Sequence, residues 1–229
     1  MKLILKTLLL SASLCSSLAF ANTEAHNDYL KGTAYLNQHN YKEAITWLTS
    51  AANNGSIEAQ NKIGVIYAKG IGTESSASLA IQYFTKAAKN ESSIAYYNLG
   101  KVYESQEKFP IAIDWYNKAI AMDNSNAMNN LADLYLQGNG LVQNIHQAEL
   151  LYIQAAELGN ATAMRNLGFL YFKGVNVKQD MEKSYFWFNL AAAKSYPKAE
   201  IYRDFTGEKL YKTTRTSIQN EALVWLEAH

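Results

Sequence analysis

Residues 51–72 read AANNGSIEAQNKIGVIYAKGIG, and the chain repeats the plan of this stretch at intervals. It opens with the pair Ala51-Ala52, passes a small residue at Gly64, reaches Tyr67, and ends in Gly70-Ile71-Gly72. Working outward, Tyr67 is one rung of a ladder, Tyr35, Tyr67, Tyr103, Tyr135 and Tyr171, with steps of 32, 36, 32 and 36 residues. Three residues before each rung sits Gly32, Gly64, Gly100, Ala132 or Gly168. Alanine pairs or near-pairs recur at Ala51-Ala52, Ala87-Ala88, Ala119-Ile120, Ala155-Ala156 and Ala191-Ala192, and four residues before each stands Trp47, Tyr83, Trp115, Leu151 or Trp187. A fixed period in this range signals a stack of two-helix units rather than one globular core. Small residues at helical spacing let two backbones approach, and large ones fill the space between neighbouring units.

The alternation of the ladder has a local cause. From the first residue of each alanine pair to the next small residue is 13 positions every time. From each tyrosine to the second helix, marked by Ala44, Ala80, Ala112, Ala148 and Ser184, the distance is 9, 13, 9, 13 and 13. The joint between units is therefore constant, and the hairpin inside a unit gains or loses four residues at Gly70-Ile71-Gly72, Gly138-Asn139-Gly140 and Gly174-Val175-Asn176. Ser56, Ser92, Asn124 and Asn160 stand where each joint enters the next helix and are predicted N-caps. Gly55 and Gly159 just before them suit helix termination. Units one and two also map onto units three and four at an offset of 68, matching Tyr29 with Tyr97, Trp47 with Trp115 and Asn61 with Asn129, which reads as duplication of a two-unit block with a fifth unit added.

The small residue, tyrosine, Gly-x-Gly loop, Lys/Gln-Ala and aromatic-x-x-Ala-Ala pattern resembles the Sel-one-like repeat, a relative of the tetratricopeptide repeat. The resemblance covers about residues 28–195; units two, four and five resemble the longer-loop form, and units one and three the shorter tetratricopeptide form. Ala132 and Asn176 depart from the glycines of the pattern. The expected fold is all-α: a right-handed α/α superhelical solenoid of five helix hairpins (about 25–55, 56–91, 92–123, 124–159 and 160–195). Residues 196–229 are expected to form C-terminal capping helices, because a solenoid needs its last open face covered. In that tail Pro197 suits a first helical turn. Thr216-Ser217-Ile218-Gln219 reads as a capping box opening a last helix with Leu223, Trp225 and Leu226 on its apolar face.

Residues 1–21 read as a secretory signal: two lysines, an apolar stretch from Thr7 to Leu18, and Ala19-Phe20-Ala21 as a small-x-small cleavage site before Asn22. The apolar stretch is too short to span a hydrocarbon core of ~30 Å. The single cysteine, Cys15, lies in this leader, and Leu14 before it does not suit lipidation. The mature chain thus lacks the disulfides of cysteine-rich relatives and must rely on apolar packing, for which 48% hydrophobic residues suffice. The expected localisation is export to the periplasm, or secretion.

Catalytic patterns are weak. His26, His39, His146 and His229 lie far apart and make no metal-ligand spacing. Ser105-x-x-Lys108 and Ser195-x-x-Lys198 have the spacing of a penicillin-recognising nucleophile, but no Ser-Asp-Asn or Lys-Thr-Gly string accompanies them. The Gly-x-Gly strings lack the third glycine and strand of a dinucleotide site and recur at the repeat offset. No catalytic residue, metal site or cofactor is predicted. Losing Lys2 and Lys6 with the leader takes the formal charge from +1 to −1, a poor balance for nucleic acid. No lysine-rich amphipathic segment suits a membrane surface.

Projected at 100° per residue, each first helix has a core stripe, in unit two Ala59, Ile63, Ile66 and Tyr67, and an opposite stripe. In tetratricopeptide relatives that opposite stripe lines the concave groove that holds a partner segment, and the resemblance implies the same here. Its occupants include Tyr29, Asn61, Tyr97, Lys101, Asn129, Arg165, Phe169 and Phe172; the two tyrosines, the two asparagines and the triplet Arg165, Phe169, Phe172 stand where a solvated face would carry Lys, Glu and Gln. Asparagine amides can meet a peptide backbone through both edges, and aromatic and arginine side chains are favoured hot-spot types. Phe169 and Phe172 have a second reading, as packing under the C-terminal cap. The function implied is a non-enzymatic exported adaptor that binds a protein or peptide. The alternative, a cell-wall-related β-lactam-binding or hydrolase activity as in cysteine-rich relatives, is disfavoured by the incomplete serine motifs and the absence of cysteine.

Overall fold

The computed structural model describes residues 23–174 and 178–229; the signal segment and the loop positions Val175 and Asn176 lie outside them. The described residues are all-α with no strand. A first helix, α1, covers residues 23–37. It is followed by α2 (Tyr41–Asn53), α3 (Ile57–Lys69), α4 (Ala77–Ala88), α5 (Ser93–Ser105), α6 (Phe109–Ile120), α7 (Ser125–Gln137), α8 (Ile145–Glu157), α9 (Ala161–Lys173), α10 (Met181–Ala193), α11 (Ala199–Gly207) and α12 (Lys212–Ala228). The chain divides between Gln106 and Glu107 into two compact units. The first holds α1–α5 and the second α6–α12.

In both units the joints are built alike. Ser56, Ser92, Asn124 and Asn160 each accept a hydrogen bond from the backbone N–H three residues on, at Ala59, Ala95, Ala127 and Ala163. The residue before each cap, and its counterpart after α10, is left-handed whatever its identity: Gly55, Glu91, Asp123, Gly159 and Ser195 have φ of 94°, 54°, 55°, 79° and 58°. An L-residue there costs ~1–2 kcal/mol, and a Cβ at Gly55 or Gly159 would meet nothing within 4 Å. The cost is therefore purely one of backbone. Glu91→Gly is expected to stabilise the first unit by about 1 kcal/mol. Asp123→Gly should gain less, since Asp tolerates this region better. Urea midpoints of the two variants test this.

The hairpins explain the four-residue difference. In long repeats the amides of Ser76, Asn144 and Asp180 donate to the carbonyls of Tyr67, Tyr135 and Tyr171; in the first, short repeat Asn40 donates to Tyr35. In these four repeats the second helix thus starts from the same tyrosine carbonyl, and the extra residues loop out. The loops leave through left-handed glycine caps at Gly70, Gly138 and Gly174. They add side-chain caps from Ser76, Asn144 and Asp180, which the short hairpins at Asn40 and Lys108 lack.

The small residues are contact points between paired helices. A Cβ on Gly32 would lie 2.7 Å from Leu48, one on Gly64 would lie 2.6 Å from the Phe84 ring, and one on Gly168 would lie 2.7 Å from the Phe188 ring. Ser184 of α10 donates to the Gly168 carbonyl at 2.8 Å, which fixes the close approach of α9 and α10. The side chains that press on these positions belong to a row the sequence pattern did not single out: Leu48, Phe84, Tyr116, Tyr152 and Phe188 are all at most 1% exposed. Each follows the bulky residue named from the sequence, and of those Trp47 and Trp115 are only half-buried. The ladder tyrosines sit at the core's edge: Tyr35, Tyr67, Tyr103 and Tyr135 are half-buried, and only Tyr171 is buried. Tyr67 stacks on Tyr83, with ring centroids 5.9 Å apart.

The tail departs from expectation in three ways. Pro197 lies in the turn before α11, whose N-cap is left-handed Lys198. The last helix starts at Lys212, not at Thr216, and the Thr216 hydroxyl donates back to the Lys212 carbonyl inside it. That i−4 bond satisfies the hydroxyl without a cap. Ile218 and Ala222 supply the buried face of α12, whereas Leu223 is 60% exposed. Both α11 and α12 pack on α10.

Candidate partner-binding faces

In the first unit the predicted face is carried by α1, α3 and α5. Tyr29 and Tyr97 are half-buried, and each has a lysine 5.5 Å from its ring centroid, Lys62 and Lys101 respectively. Burial, and then the charge of Glu104, raise the Tyr97 phenol above its usual value. Asn61 is buried. Its amide donates to the Ile57 carbonyl and to the Ser92 hydroxyl, both at 3.1 Å, while its Oδ1 and the Thr33 hydroxyl are enclosed without a partner. Asn61 therefore braces the joint cap of the next repeat, and its amide N–H edge is already engaged.

In the second unit α7, α8 and α9 build a hydrogen-bonded relay. Arg165 Nη1 donates to Asn166 Oδ1 at 3.0 Å, Asn166 Nδ2 to Asn129 Oδ1 at 3.0 Å, and Asn129 Nδ2 to Asp133 Oδ2 at 3.3 Å. The Tyr152 hydroxyl donates to Asp133 Oδ1 at 2.5 Å. Asn129 is buried with both amide edges committed inside the protein. Asn166 completes the relay and was not singled out from the sequence, because it lies one step off the predicted stripe. A pocket of about 250 Å³ opens beside the relay, lined by Asp133, Leu136, Tyr152, Arg165, Asn166, Phe169 and Lys173.

Phe169 and Phe172 pack against the cap, as their second reading had it. Phe169 is edge-on to Phe188 and Tyr202, at 5.1 and 4.7 Å, and Phe172 is edge-on to Phe205 at 5.8 Å. Both remain half-buried, and Arg165 lies 4.7 Å from the Phe169 ring centroid. Side chains of α9 thus serve the fold and a surface at once.

Two phenols in this unit tie stability to pH. Burial, and then the Asp133 carboxylate, push Tyr152 far above its ordinary value of 10.0. Burial, and then the hydrogen bond to Glu149, do the same for Tyr171. A phenol raised on folding contributes stability that is complete below the unfolded value and is lost as pH rises through the folded one. The melting temperature is expected to hold steady up to about pH 10 and to fall above it. Tyr152→Phe should flatten that decline, as a thermal melt series would read.

The serines of the Ser-x-x-Lys strings have structural surroundings: the Ser105 hydroxyl donates to the Val102 carbonyl at 2.7 Å, and Ser195 forms the left-handed joint after α10. Among the described residues, no group of three or more His, Cys, Asp and Glu side chains is placed to hold a metal ion. No described helix is long and apolar enough to cross a membrane.

Repeated hairpins, constant joints and a helix-capped end define a solenoid protein of the tetratricopeptide type. Residues 29–56, 57–92, 125–160 and 161–196 match the Sel1 repeat, and residues 93–126 match the tetratricopeptide repeat. The chain belongs to the Sel1 repeat family. A sel1-like repeat-containing protein of Acanthamoeba polyphaga mimivirus is 34% identical over 107 residues, 46% of this chain and 19% of that protein. Among solved structures, a protective antigen of uropathogenic Escherichia coli with an SLR fold superposes with a TM-score of 0.75 at 26% identity, over 89% of this chain and 46% of that one. A Sel1 repeat protein from Oxalobacter formigenes gives 0.64 at 29% identity, over 88% and 81%. The chain thus spans about a fifth of the mimivirus relative and about half of the E. coli antigen. Sel1 repeats are typically scaffolds for protein–protein interaction.

Proposed function

We propose that the protein is an exported, non-enzymatic adaptor that holds a peptide segment or partner protein on the exposed faces of its first helices. The observation that carries this reading is the α9 row: Arg165, Phe169 and Phe172 keep part of their surface open after meeting the cap. Half-open aromatic rings beside an arginine are the composition of binding hot spots rather than of a solvated face. On the first unit, Tyr29, Tyr97 and Lys101 offer a second such surface, with Lys101 itself exposed. The leader, two lysines followed by an apolar stretch and a small-x-small site, supports export, with cleavage between Ala21 and Asn22.

Crosslinking capture in the native compartment tests the adaptor role. Arg165→Ala and Lys101→Ala should each reduce partner recovery, with unchanged thermal melts as the control because Arg165 also donates to Asn166; Asn61 and Asn129 are unsuitable probes because both are buried. Recovery of the same partners at wild-type levels from both variants would remove these faces from the account. Fractionation with N-terminal sequencing tests export, and an uncleaved protein in the cytoplasmic fraction would end that part of the proposal.

A further inference from the structure

We infer that the apolar pocket between α9, α10 and α11 is a socket for one bulky apolar side chain of an acidic peptide segment. This rests on the adaptor reading and names the chemistry of the partner at the α9 face. Phe169 and Phe172 of α9, Phe188 of α10, and Ile201, Tyr202, Phe205 and Thr206 of α11 wall a pocket of about 360 Å³, and the Thr206 hydroxyl is already engaged, donating to the Tyr202 carbonyl at 2.9 Å. Ile201 is 63% exposed and Phe205 48% exposed, so the mouth is itself apolar and open.

The pocket is preformed. Phe169 stands edge-on to both Phe188 and Tyr202, and Phe188 stacks on Tyr202 at 5.5 Å and 28°. Three rings fix one another, and the Phe172–Phe205 pair forms a further wall. A socket that needs no rearrangement avoids much of the ordering cost of association. Its size lies at the lower end of ligand pockets, which suits a single large side chain and its flanking backbone.

The charges around it choose the segment. Arg165 lies 4.7 Å from the Phe169 ring centroid and Lys209 lies 5.2 Å from that of Phe205, so two wall rings each carry a cation. Lys173 lines the adjoining pocket, which shares Phe169 as a wall. Two nearby carboxylates already have partners: Asp204 is paired with Arg203 at 2.8 Å, and Asp133 accepts from Tyr152. Glu200 and Glu208 are exposed, as are Lys173 and Lys209, so solvent screens both signs alike; the selection comes from the cations seated on the wall rings themselves, above all half-buried Arg165 on Phe169. A segment with acidic residues on both sides of an aromatic anchor complements this surface, and a basic one does not.

Methyl NMR of the purified protein provides the test, with Ile201 and Thr206 as reporters and three synthetic peptides as probes. The peptides are Asp-Glu-Asp-Phe-Asp-Glu-Asp, the same peptide with serine for phenylalanine, and Lys-Arg-Lys-Phe-Lys-Arg-Lys. Saturable shifts are expected with the first only. Phe205→Ala should weaken that binding at least tenfold, and the Arg165→Gln/Lys209→Gln pair at least threefold; unchanged thermal melts would show that the variants fold. Absence of shifts at millimolar peptide, equal shifts from the serine peptide, or equal binding of the basic peptide would each overturn the inference. So would octanoate saturating the reporters at lower concentration than the peptide, which would make the pocket a small-acid site. Crosslinking separates the two levels of the argument. Equal capture by wild type and Phe205→Ala would overturn the socket and leave the adaptor standing, whereas no capture by either would overturn both.

Discussion

Gly64→Val is expected to destabilise the first unit by about 3 kcal/mol. The first atom of any side chain at this position would fall 2.6 Å from the Phe84 ring, which is 1% exposed and has nowhere to retreat. A branched side chain must therefore push α3 and α4 apart along their whole contact. Phe84→Ala, which removes the ring instead, should cost about 3–5 kcal/mol through lost burial and the cavity left behind. The pair of variants carries the sharper prediction. If the two positions act as knob and seat, the double variant should lose less than the sum of the singles by about 1–3 kcal/mol, since valine partly fills the space the ring vacates. Repeat proteins need not unfold in one step, so amide exchange within α3 and α4 is the measurement of choice. A Gly64→Val protein with wild-type protection in those helices would refute the contact.

Asp133→Ala should cost the second unit a comparable amount, about 3 kcal/mol, for a different reason. It removes the acceptor of Tyr152, whose side chain is 1% exposed, and one acceptor of Asn129, which is 5% exposed. Each buried donor left unmatched costs ~1–3 kcal/mol. Tyr152→Phe is the control: it deletes a donor and leaves the carboxylate its bond to Asn129, so its cost should be about 1 kcal/mol. Adding Tyr152→Phe to Asp133→Ala should restore part of the loss, because no hydroxyl then remains unpaired. Urea unfolding followed by tryptophan fluorescence reads all three. Additive losses would show that the relay is not a coupled network.

The repeat and its joints were legible because they depend on backbone conformation, which Gly, Ser and Asn at fixed offsets report directly. The left-handed joint survives even where Glu91 and Asp123 replace the glycine, so register alone identifies it. The seat residues were harder to see. Leu48, Phe84, Tyr116, Tyr152 and Phe188 share a place in space and no single chemistry, and the more conspicuous tryptophans one step earlier drew the pattern. The candidate face was half legible. Projection set Arg165, Phe169 and Phe172 on one side of α9. It could not supply Tyr202 and Phe205, which come from a tail without the repeat period. Nor could it show that Asn61 and Asn129 turn inward, since an amide's partners depend on neighbouring helices. The false start at Thr216 has a similar origin: Ser and Thr mark a helix entrance only when no earlier residue has already begun the helix.

The shared tyrosine carbonyl makes the hairpins interchangeable parts. Whether four residues are present or absent, the second helix departs from the same anchor, so Tyr67, Tyr135 and Tyr171 each work like a bracket beside an open slot. Gly72 and Gly140 abut Tyr41 and Phe109, so foreign sequence would be spliced beyond them, between Gly72 and Ser76 or Gly140 and Asn144, without resetting the phase of anything downstream. The chain is in that sense a ready-made display scaffold, with splice points already marked by its own alternation of 32 and 36.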